Sequence, residues 1–217
     1  DGGSSDFCAG ACVMASLTAF SCADIGVNPT TLTVTDVNGN VDSCTAIVMV
    51  EDTIAPTVVC QDITVQLDNS GNATIASTDI DGGSSDNCRI VTTVASDTTF
   101  TCSDIGVNMI TLTVTDSVGN SSSCVANVTV EDTISPTVIC QDVTVQLDST
   151  GSASITVADI ANGSSDNCAI ASLTLNNTSF SCADVGANTV TLTAVDSSGN
   201  SASCTATVTV EDNLAPM

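Results

Sequence analysis

The chain has 217 residues, in which one Lys or Arg stands against 25 Asp and Glu, for a formal net charge of −24. A single cation cannot neutralise a row of phosphates, so nucleic acid and an anionic membrane surface are not expected partners. No apolar stretch is long enough to predict insertion into a bilayer. The sequence contains no His, which excludes Ser-His-Asp triads and His-ligated zinc sites, so we do not expect an enzyme. Apolar residues make up 42% of the chain, which indicates a folded protein.

Apolar and polar residues alternate with a period of two in the segments that we predict as strands. They include Ile63–Leu67, Ile110–Thr115 and Cys124–Val130. Residues 68–72 predict a hairpin turn, and one helical turn is expected near Thr78–Ile80. Short strands separated by Gly, Asn, Asp and Ser, about seven in each 80 residues, predict an all-β fold of tandem immunoglobulin-like β-sandwiches.

An 80-residue repeat organises the whole chain. The equivalent cysteines are Cys8, Cys88 and Cys168; Cys22, Cys102 and Cys182; Cys44, Cys124 and Cys204; and Cys60 and Cys140. Three of the four phenylalanines keep the same spacing and predict one aromatic core position in each repeat: Phe20, Phe100 and Phe180. Repetition at a fixed period is typical of arrays of small modules.

The repeat predicts three domains. The first, 1–56, is partial and lacks its first strands because Asp1 aligns with Asp81, whereas 57–136 and 137–217 are complete. A sandwich without its opening strands has an unpaired strand edge, which invites pairing with another chain. Another copy of the protein could therefore donate a strand, and the alternative is that the missing strands lie upstream in a longer polypeptide.

Twelve cysteines without His or a metal-type CxxC motif predict disulfides, and hence a secreted or cell-surface protein. A thin 80-residue core needs such cross-links. Hairpin-like excursions and the two ends of each domain are the segments that we expect to be joined. The predicted pairs are Cys8–Cys22, Cys12–Cys44, Cys60–Cys124, Cys88–Cys102, Cys140–Cys204 and Cys168–Cys182. For Cys12 and Cys44, a bond to a neighbouring chain is the alternative.

Five sequence segments together resemble a known module. They are PTVVCQDITVQLD, GSSDNC, FTCSDIGVN, TLTVTDSVGN and CVANVTVEDTISP. The combination is similar to hyalin-repeat (HYR-like) modules of immunoglobulin fold, which occur in tandem in large secreted and cell-surface proteins, many of them bacterial. The resemblance implies an extracellular β-sandwich array used for adhesion or as a structural stalk.

The carboxylates concentrate where one repeat meets the next. We expect strand ends and loops to bring about four acidic residues together at each junction, with no basic residue to balance their charge. A hard metal cation with oxygen ligands, above all Ca²⁺, would relieve the repulsion there. The candidate calcium ligands are Glu51, Asp52, Asp86, Asp116, Asn120, Glu131, Asp132, Asp166, Asp196 and Asn200. A tight turn that caps backbone amides is the alternative role of the segment 116–120.

These observations predict a structural extracellular protein, in which tandem modules form a rigid stalk or filament stabilised by disulfides and calcium. Other copies of the chain are the expected partners. The alternative is an adhesin module that binds a glycan or a surface receptor, which predicts loops that differ from repeat to repeat. The repeats are instead nearly interchangeable, which favours the structural role.

Overall fold

The computed structural model describes residue 3 and residues 12–215. The described chain is all-β, as predicted, with five sheets and only single-turn helices. In this part of the chain, no helix is long and apolar enough to span a membrane. The chain forms two compact units. The first unit comprises Asp1–Val59, Gly83–Val94 and Thr113–Cys124, and the second comprises Cys60–Gly82, Ala95–Leu112 and Val125–Met217. The three-domain division at 56 and 136 stays a prediction.

A three-stranded antiparallel sheet belongs to the first unit. Its strands are β1 (Cys12–Ala15), β2 (Gly26–Thr35) and β3 (Val41–Val50), in the order β1-β2-β3. Thr and Val dominate β2 because a β-branched side chain packs well on a half-buried pleated surface. A single 3-10 turn, Cys22–Asp24, precedes β2, and Ser21 caps it by accepting a hydrogen bond from the Ala23 amide. The strand β3 is an edge of this sheet.

The middle repeat contributes six strands. They are β4 (Ile63–Gln66), β5 (Asn72–Thr74), β6 (Ile90–Ala95), β7 (Thr99–Thr101), β8 (Gly106–Asp116) and β9 (Ser121–Glu131), in a four-stranded sheet β4-β9-β8-β6 and a two-stranded sheet β5-β7. The three strands predicted from alternation lie at β4, β8 and β9. The predicted hairpin turn is present, since Gly71 N donates to Asp68 O. The predicted helical turn is a 3-10 turn at Ser77–Ile80.

The third repeat, which lies entirely in the second unit, repeats this arrangement. Its strands are β10 (Val143–Gln146), β11 (Ser152–Ser154), β12 (Ile170–Leu175), β13 (Ser179–Ser181), β14 (Gly186–Asp196) and β15 (Ser201–Glu211), with one α-helical turn, α1 (Val157–Ile160). The four-stranded sheet has the order β10-β15-β14-β12, with β10 parallel to β15 and the other pairs antiparallel. Strands β11 and β13 form the second, two-stranded sheet.

Alternation along the strands creates the core of the third repeat. Leu192 of β14 and Val208 of β15 are fully buried, together with Ile160 of α1. Successive residues of a strand point to opposite faces, so the intervening Thr and Ser residues are left at the outer surface. Phe180 packs in the same core and is 4% exposed.

The aromatic core position holds in two repeats and fails in the first. Phe100 is 2% exposed, whereas Phe20 is 37% exposed. Opposite Phe180 lies Ala153 on β11, and among the described residues no strand pairs with the segment around Phe20. The prediction that Phe20 is a core residue is therefore wrong for this chain.

Two disulfides join successive repeats, whereas the sequence spacing predicted bridges within each repeat. Cys22 bonds Cys88 within the first unit, and Cys102 bonds Cys168 within the second. The predicted Cys8–Cys22, Cys88–Cys102 and Cys168–Cys182 pairs are therefore wrong, and Cys8 itself lies outside the described residues. The Cα atoms are 5.3 Å apart in the Cys22–Cys88 pair and 5.4 Å apart in the Cys102–Cys168 pair, within the range that a disulfide requires.

Other cysteines divide into bonded and free. The predicted Cys140–Cys204 bridge is present, whereas the predicted Cys12–Cys44 bridge is wrong, because both of these residues are exposed free thiols. Cys182 is also free and exposed. Two further residues, Cys60 and Cys124, are each disulfide-bonded, and the pairing of one with the other stays a prediction.

Candidate metal centres

The hairpin turn after β8 fixes the first carboxylate of a cluster. Asp116 Oδ1 accepts hydrogen bonds from the amides of Val118, Gly119 and Asn120, at 2.9, 2.7 and 2.8 Å. Gly119 has φ of 102°, a conformation that favours glycine. The turn proposed as the alternative role of 116–120 is therefore present, and it holds the carboxylate in place. Asp196 occupies the equivalent turn after β14, with bonds from the Ser198 and Asn200 amides.

The Gly-Ser-Ser-Asp loops supply the second carboxylate. In the first unit, Asp86 Oδ2 accepts hydrogen bonds from the amides of Cys88 and Arg89. In the second unit, Asp166 Oδ2 accepts the equivalent bonds from Cys168 and Ala169. The other oxygen of each carboxylate, Oδ1, is buried and accepts no hydrogen bond from any described residue. Each loop therefore presents one bare carboxylate oxygen.

The third carboxylate follows the last strand of the preceding repeat. Asp132 comes directly after β9, and its Oδ1 accepts hydrogen bonds from Ile134 N and from Asn167 Nδ2, both at 3.1 Å. Its Oδ2 is buried and has no hydrogen-bond donor among the residues that the structure describes. Asp52 has the same arrangement, with bonds from Ile54 N and Asn87 Nδ2 to Oδ1 and a buried, unbonded Oδ2.

These carboxylates form two equivalent clusters. The first cluster is Asp52, Asp86 and Asp116, and the second cluster is Asp132, Asp166 and Asp196. In each cluster, one oxygen from every carboxylate lies within 4.8 Å of the others. Asp132 is 5% exposed, and Asp116 and Asp196 are 1% and 2% exposed. The other three aspartates are partly buried. Three carboxylates shielded from solvent at this separation repel one another strongly unless a cation lies between them.

Hydrogen bonding keeps two of these carboxylates ionised. Burial raises the pKa of Asp116, but the bonds from the Asn120 side chain and from the backbone amides outweigh it, so the net pKa lies below its ordinary value. The pKa of Asp196 is lowered in the same way, because burial is outweighed by bonds from Asn200 and the neighbouring amides. Both groups are therefore anionic at neutral pH, as cation ligands must be.

The oxygen set fits Ca²⁺. Calcium takes six to eight oxygen ligands at about 2.3–2.6 Å, so two oxygens on opposite sides of one ion are about 5 Å apart, which accommodates the 4.8 Å limit in each cluster. No soft or imidazole ligand is available in either cluster, which disfavours zinc and copper. The six aspartates, Asn167 Oδ1 (another buried oxygen without a described donor) and solvent are the groups that could hold the ion.

The structure brings together six of the ten residues predicted as ligands. Glu51 and Glu131 are exposed and lie outside the clusters. Glu131 Oε2 instead accepts a hydrogen bond from Gln66 Nε2 of the neighbouring strand. Adjacent residues of an extended segment point in opposite directions, so Glu131 and Asp132 cannot both face the cluster.

Asn120 and Asn200 position carboxylates through their amide nitrogens. Asn120 Nδ2 donates to Asp116 Oδ2 at 2.7 Å and to Asp52 O at 3.0 Å. Asn200 Nδ2 donates to Asp196 Oδ2 and Asp132 O in the second cluster. This side-chain nitrogen therefore ties two of the three aspartates of a cluster together.

Sequence reasoning missed Asn87 and Asn167. Each donates from Nδ2 to the Oδ1 atom of the aspartate that precedes it by 35 residues. The signal was present, because Asn follows Asp in both GSSDN loops, whereas the first repeat has Phe7 at that position.

Residues 131–210 match the model of the HYR domain. None of the curated proteins compared with the chain matches it in sequence. Among solved structures, the chain is similar to extracellular cadherin domains 1–4 of protocadherin gamma B7, with 10% identity, a TM-score of 0.39, and coverage of 94% of this chain and 67% of that one.

Two further protocadherin structures show the same level of similarity. A structure of domains 3–6 of protocadherin gamma B7, described as a cis-dimer, has 14% identity and a TM-score of 0.36, with 89% of this chain and 60% of that one covered. Domains 1–5 of protocadherin gamma B2 have 13% identity and a TM-score of 0.39, with 90% and 48% covered. The chain thus spans about half to two thirds of the length of these three structures.

Proposed function

We propose that the chain is a structural extracellular protein, in which tandem β-sandwich modules form a stiff stalk or filament that disulfides and calcium stabilise. The observation that carries this proposal is the pair of clusters with bare, buried carboxylate oxygens. Each cluster takes one aspartate from the end of one sequence repeat and two from the next. A divalent cation there would fix the joint between two modules.

The disulfides support the same role. Cys22–Cys88 and Cys102–Cys168 each connect a sequence repeat to the one that follows it. A covalent bridge and a cation cluster at the same junction restrict its bending more than either would alone. Persistent disulfides also favour a secreted or cell-surface location.

Calorimetric melting of the purified chain tests the proposal. We expect the melting temperature to rise when Ca²⁺ is added to chelator-treated protein, because an ion bound only by the folded state stabilises it. Mg²⁺ should have a smaller effect, since it prefers shorter bonds and strict octahedral geometry. Identical melting curves with calcium and with chelator would refute the calcium-stabilised joint.

Self-association through β3 is a second element of the proposal. In the third repeat, β10 lies parallel to the final strand β15, whereas β3 is an edge of its sheet. A strand from another copy could add to this edge. A synthetic peptide with the sequence of residues 57–67 should then bind the chain and shift the NMR amide signals of β3, while a scrambled peptide should not.

An adhesive role is the second candidate function, and one patch favours it. Val107 and Met109 of β8 are 68% and 77% exposed, and the third repeat has Ala187 and Thr189 at the equivalent positions. The first repeat keeps an exposed Val27 at the position of Val107, whereas Met109 is replaced by Pro29 and Thr189 in the other two repeats. An exposed apolar side chain specific to one repeat is a feature that a receptor could recognise. Loss of cell or glycan-surface adhesion in a Met109→Thr variant, with a Thr189→Ser control, would support this role.

A further inference from the structure

The two clusters differ in how well one of their aspartates is shielded from solvent. Asp132 is 5% exposed, whereas Asp52, its sequence equivalent in the preceding repeat, is only half-buried. Asp116 and Asp196 do not differ in this way, because both are buried. The difference in shielding therefore lies on the side of the aspartate that follows the last strand of a repeat.

The asparagine beside that aspartate shows the same contrast. Asn167 is half-buried, and its Nδ2 donates to two oxygens, Asp132 Oδ1 at 3.1 Å and Asp68 O at 3.4 Å. Asn87 is exposed, and its Nδ2 donates to one oxygen among the described residues, Asp52 Oδ1 at 3.2 Å. The second bond therefore holds the side-chain amide of Asn167 more firmly than that of Asn87.

The hairpin turn at 68–72 explains why the asparagine is better shielded in the second unit. A Cβ placed on Gly71 of this turn would lie 2.9 Å from Asn167 O, so the turn is in contact with the loop that carries Asn167. In the first unit, the lining of an open cavity of about 300 Å³ includes Asp52 and Asn87. Solvent thus has access to the first cluster from the side that the turn covers in the second.

The side-chain amide of Asn167 is held so that its oxygen has no donor. Its Oδ1 is buried and accepts no hydrogen bond from any residue that the structure describes. Turning the amide over would place this oxygen against Asp132 Oδ1 and Asp68 O, which are themselves acceptors. A buried acceptor without a donor is costly, and a cation can satisfy it instead. Because Oδ1 belongs to the amide that contacts Asp132, it lies beside the second cluster.

We propose that the second cluster binds Ca²⁺ more tightly than the first, because Asn167 Oδ1 adds a ligand there and the turn at 68–72 limits access of solvent. The affinity of an oxygen-ligand calcium site depends on its ligands and on its rigidity. The attraction between a cation and carboxylates is also stronger where solvent screens it less. The inference rests on the proposed calcium-binding function and adds an order to it: as calcium rises, the second unit is stabilised before the first.

An NMR titration of the chelator-treated 217-residue chain with Ca²⁺ tests this order without any substitution. The Ser198 amide donates to Asp196 and the Val118 amide donates to Asp116, so each amide signal reports on one cluster. We expect the Ser198 signal to shift at lower calcium concentrations than the Val118 signal. The two affinities should differ by about 10-fold or more, the range that is typical when a metal site lacks a supporting group.

A matched pair of glycine variants tests the role of the turn. Gly71→Ala and Gly151→Ala change equivalent turns, at φ of 72° and 75°, so their cost in backbone strain is similar. Each added carbon would lie 2.6 or 2.7 Å from a cysteine sulfur, but only the one on Gly71 would also meet Asn167 O. We expect Gly71→Ala to lower the affinity of the second cluster towards that of the first, and Gly151→Ala to leave both affinities unchanged.

The outcomes separate this inference from the proposed function. Equal affinities in the native chain, or a Val118 signal that shifts before the Ser198 signal, would overturn the inference and leave calcium binding at both clusters intact. The same affinity of the second cluster in Gly71→Ala and Gly151→Ala would contradict the role of the turn. A titration without saturable binding at either cluster would overturn both the inference and the calcium-stabilised joint.

Discussion

Asn167 donates from Nδ2 to Asp132 Oδ1 at 3.1 Å, while the other oxygen of Asp132 is buried without a donor among the described residues. One amide therefore fixes the carboxylate and leaves its second oxygen for a cation. A ligand held by a neighbouring side chain in this way needs less ordering when the ion binds. The equivalent bond from Asn87 to Asp52 shows the same division of the two oxygens in the first cluster.

Removing one carboxylate from the second cluster should weaken calcium binding. Asp132→Asn replaces an anionic ligand with a neutral one, and we expect the stabilisation of the chain by calcium to fall by about half, because one of two clusters is lost. Glu131→Gln is the matched control, since this exposed neighbour lies outside the cluster. Melting temperature as a function of calcium concentration checks both variants. A larger loss in Glu131→Gln than in Asp132→Asn would contradict the assignment of ligands.

Removing the positioning amide should have a smaller effect of the same sign. Asn167→Ala leaves Asp132 free to rotate, and calcium affinity at the second cluster should fall by about 10–100-fold, as is typical when a ligand loses its supporting hydrogen bond. Asn127→Ala is the control, because Asn127 also donates to an aspartate, Asp62, that belongs to neither cluster. Isothermal titration with Ca²⁺ measures both affinities, and equal affinities in the two variants would contradict the positioning role.

Loss of an inter-repeat disulfide should destabilise the second unit. The double variant Cys102→Ser, Cys168→Ser removes a bridge that closes a loop with a separation of 66 residues, and the chain-entropy relation gives a loss of about 4 kcal/mol. Denaturant unfolding measures this loss. Cys12→Ser, Cys44→Ser is the control because both residues are free thiols. Peptide mapping that found Cys88 bonded to Cys102 in the natural chain would contradict the prediction.

The third repeat should depend on its apolar core more strongly than the first. Leu192 is fully buried, so Leu192→Ala should reduce the free energy of unfolding by about 2–5 kcal/mol. Leu32, its equivalent in the first repeat, is only half-buried, and Leu32→Ala should cost less. Hydrogen exchange resolved to each strand separates the two losses. An equal or larger effect at Leu32 would show that the first repeat has a closed core in solution.

Acid should destabilise the chain through capping carboxylates as well as through the clusters. The Thr156 amide and hydroxyl donate to Asp159 and hold its pKa below the ordinary value. A carboxyl group whose pKa is lower in the folded state than in the unfolded state stabilises the fold when it is ionised. This stabilisation is complete above the unfolded-state pKa of about 3.9 and is lost as the pH falls through the folded-state pKa. Asp159→Asn should therefore flatten the fall in stability below about pH 4, measured by denaturant unfolding in chelator. An unchanged pH dependence in this variant would contradict the capping role.

Period-two alternation predicted β4, β8 and β9, because it reports directly which face of a strand is buried. The six clustered aspartates could also be predicted, since strand ends and turns of equivalent repeats return at fixed places. The Cys140–Cys204 bridge within a repeat could be predicted, but the disulfides between repeats could not. Cys102 lies 14 residues from Cys88 and 66 from Cys168, and proximity in sequence favours the first while the fold selects the second.

The remaining errors have a physical cause in side-chain direction. Glu131 and Asp132 are adjacent in sequence and equally acidic, yet only Asp132 is buried in a cluster. Composition identifies an acidic segment, but the pleat of the strand decides which carboxylate turns inward. Asn167 was missed because its hydrogen bond reaches an aspartate 35 residues earlier in the chain, and no local sequence pattern reports that contact.

Isothermal titration of chelator-treated chain with Ca²⁺ measures the central claim most directly. The two equivalent clusters, each with three converging carboxylates, predict saturable binding with at least two calcium ions per chain, and loss of one class of site in Asp132→Asn. A titration that showed no saturable binding, or the full stoichiometry in Asp132→Asn, would contradict calcium as the ion that stabilises the junctions.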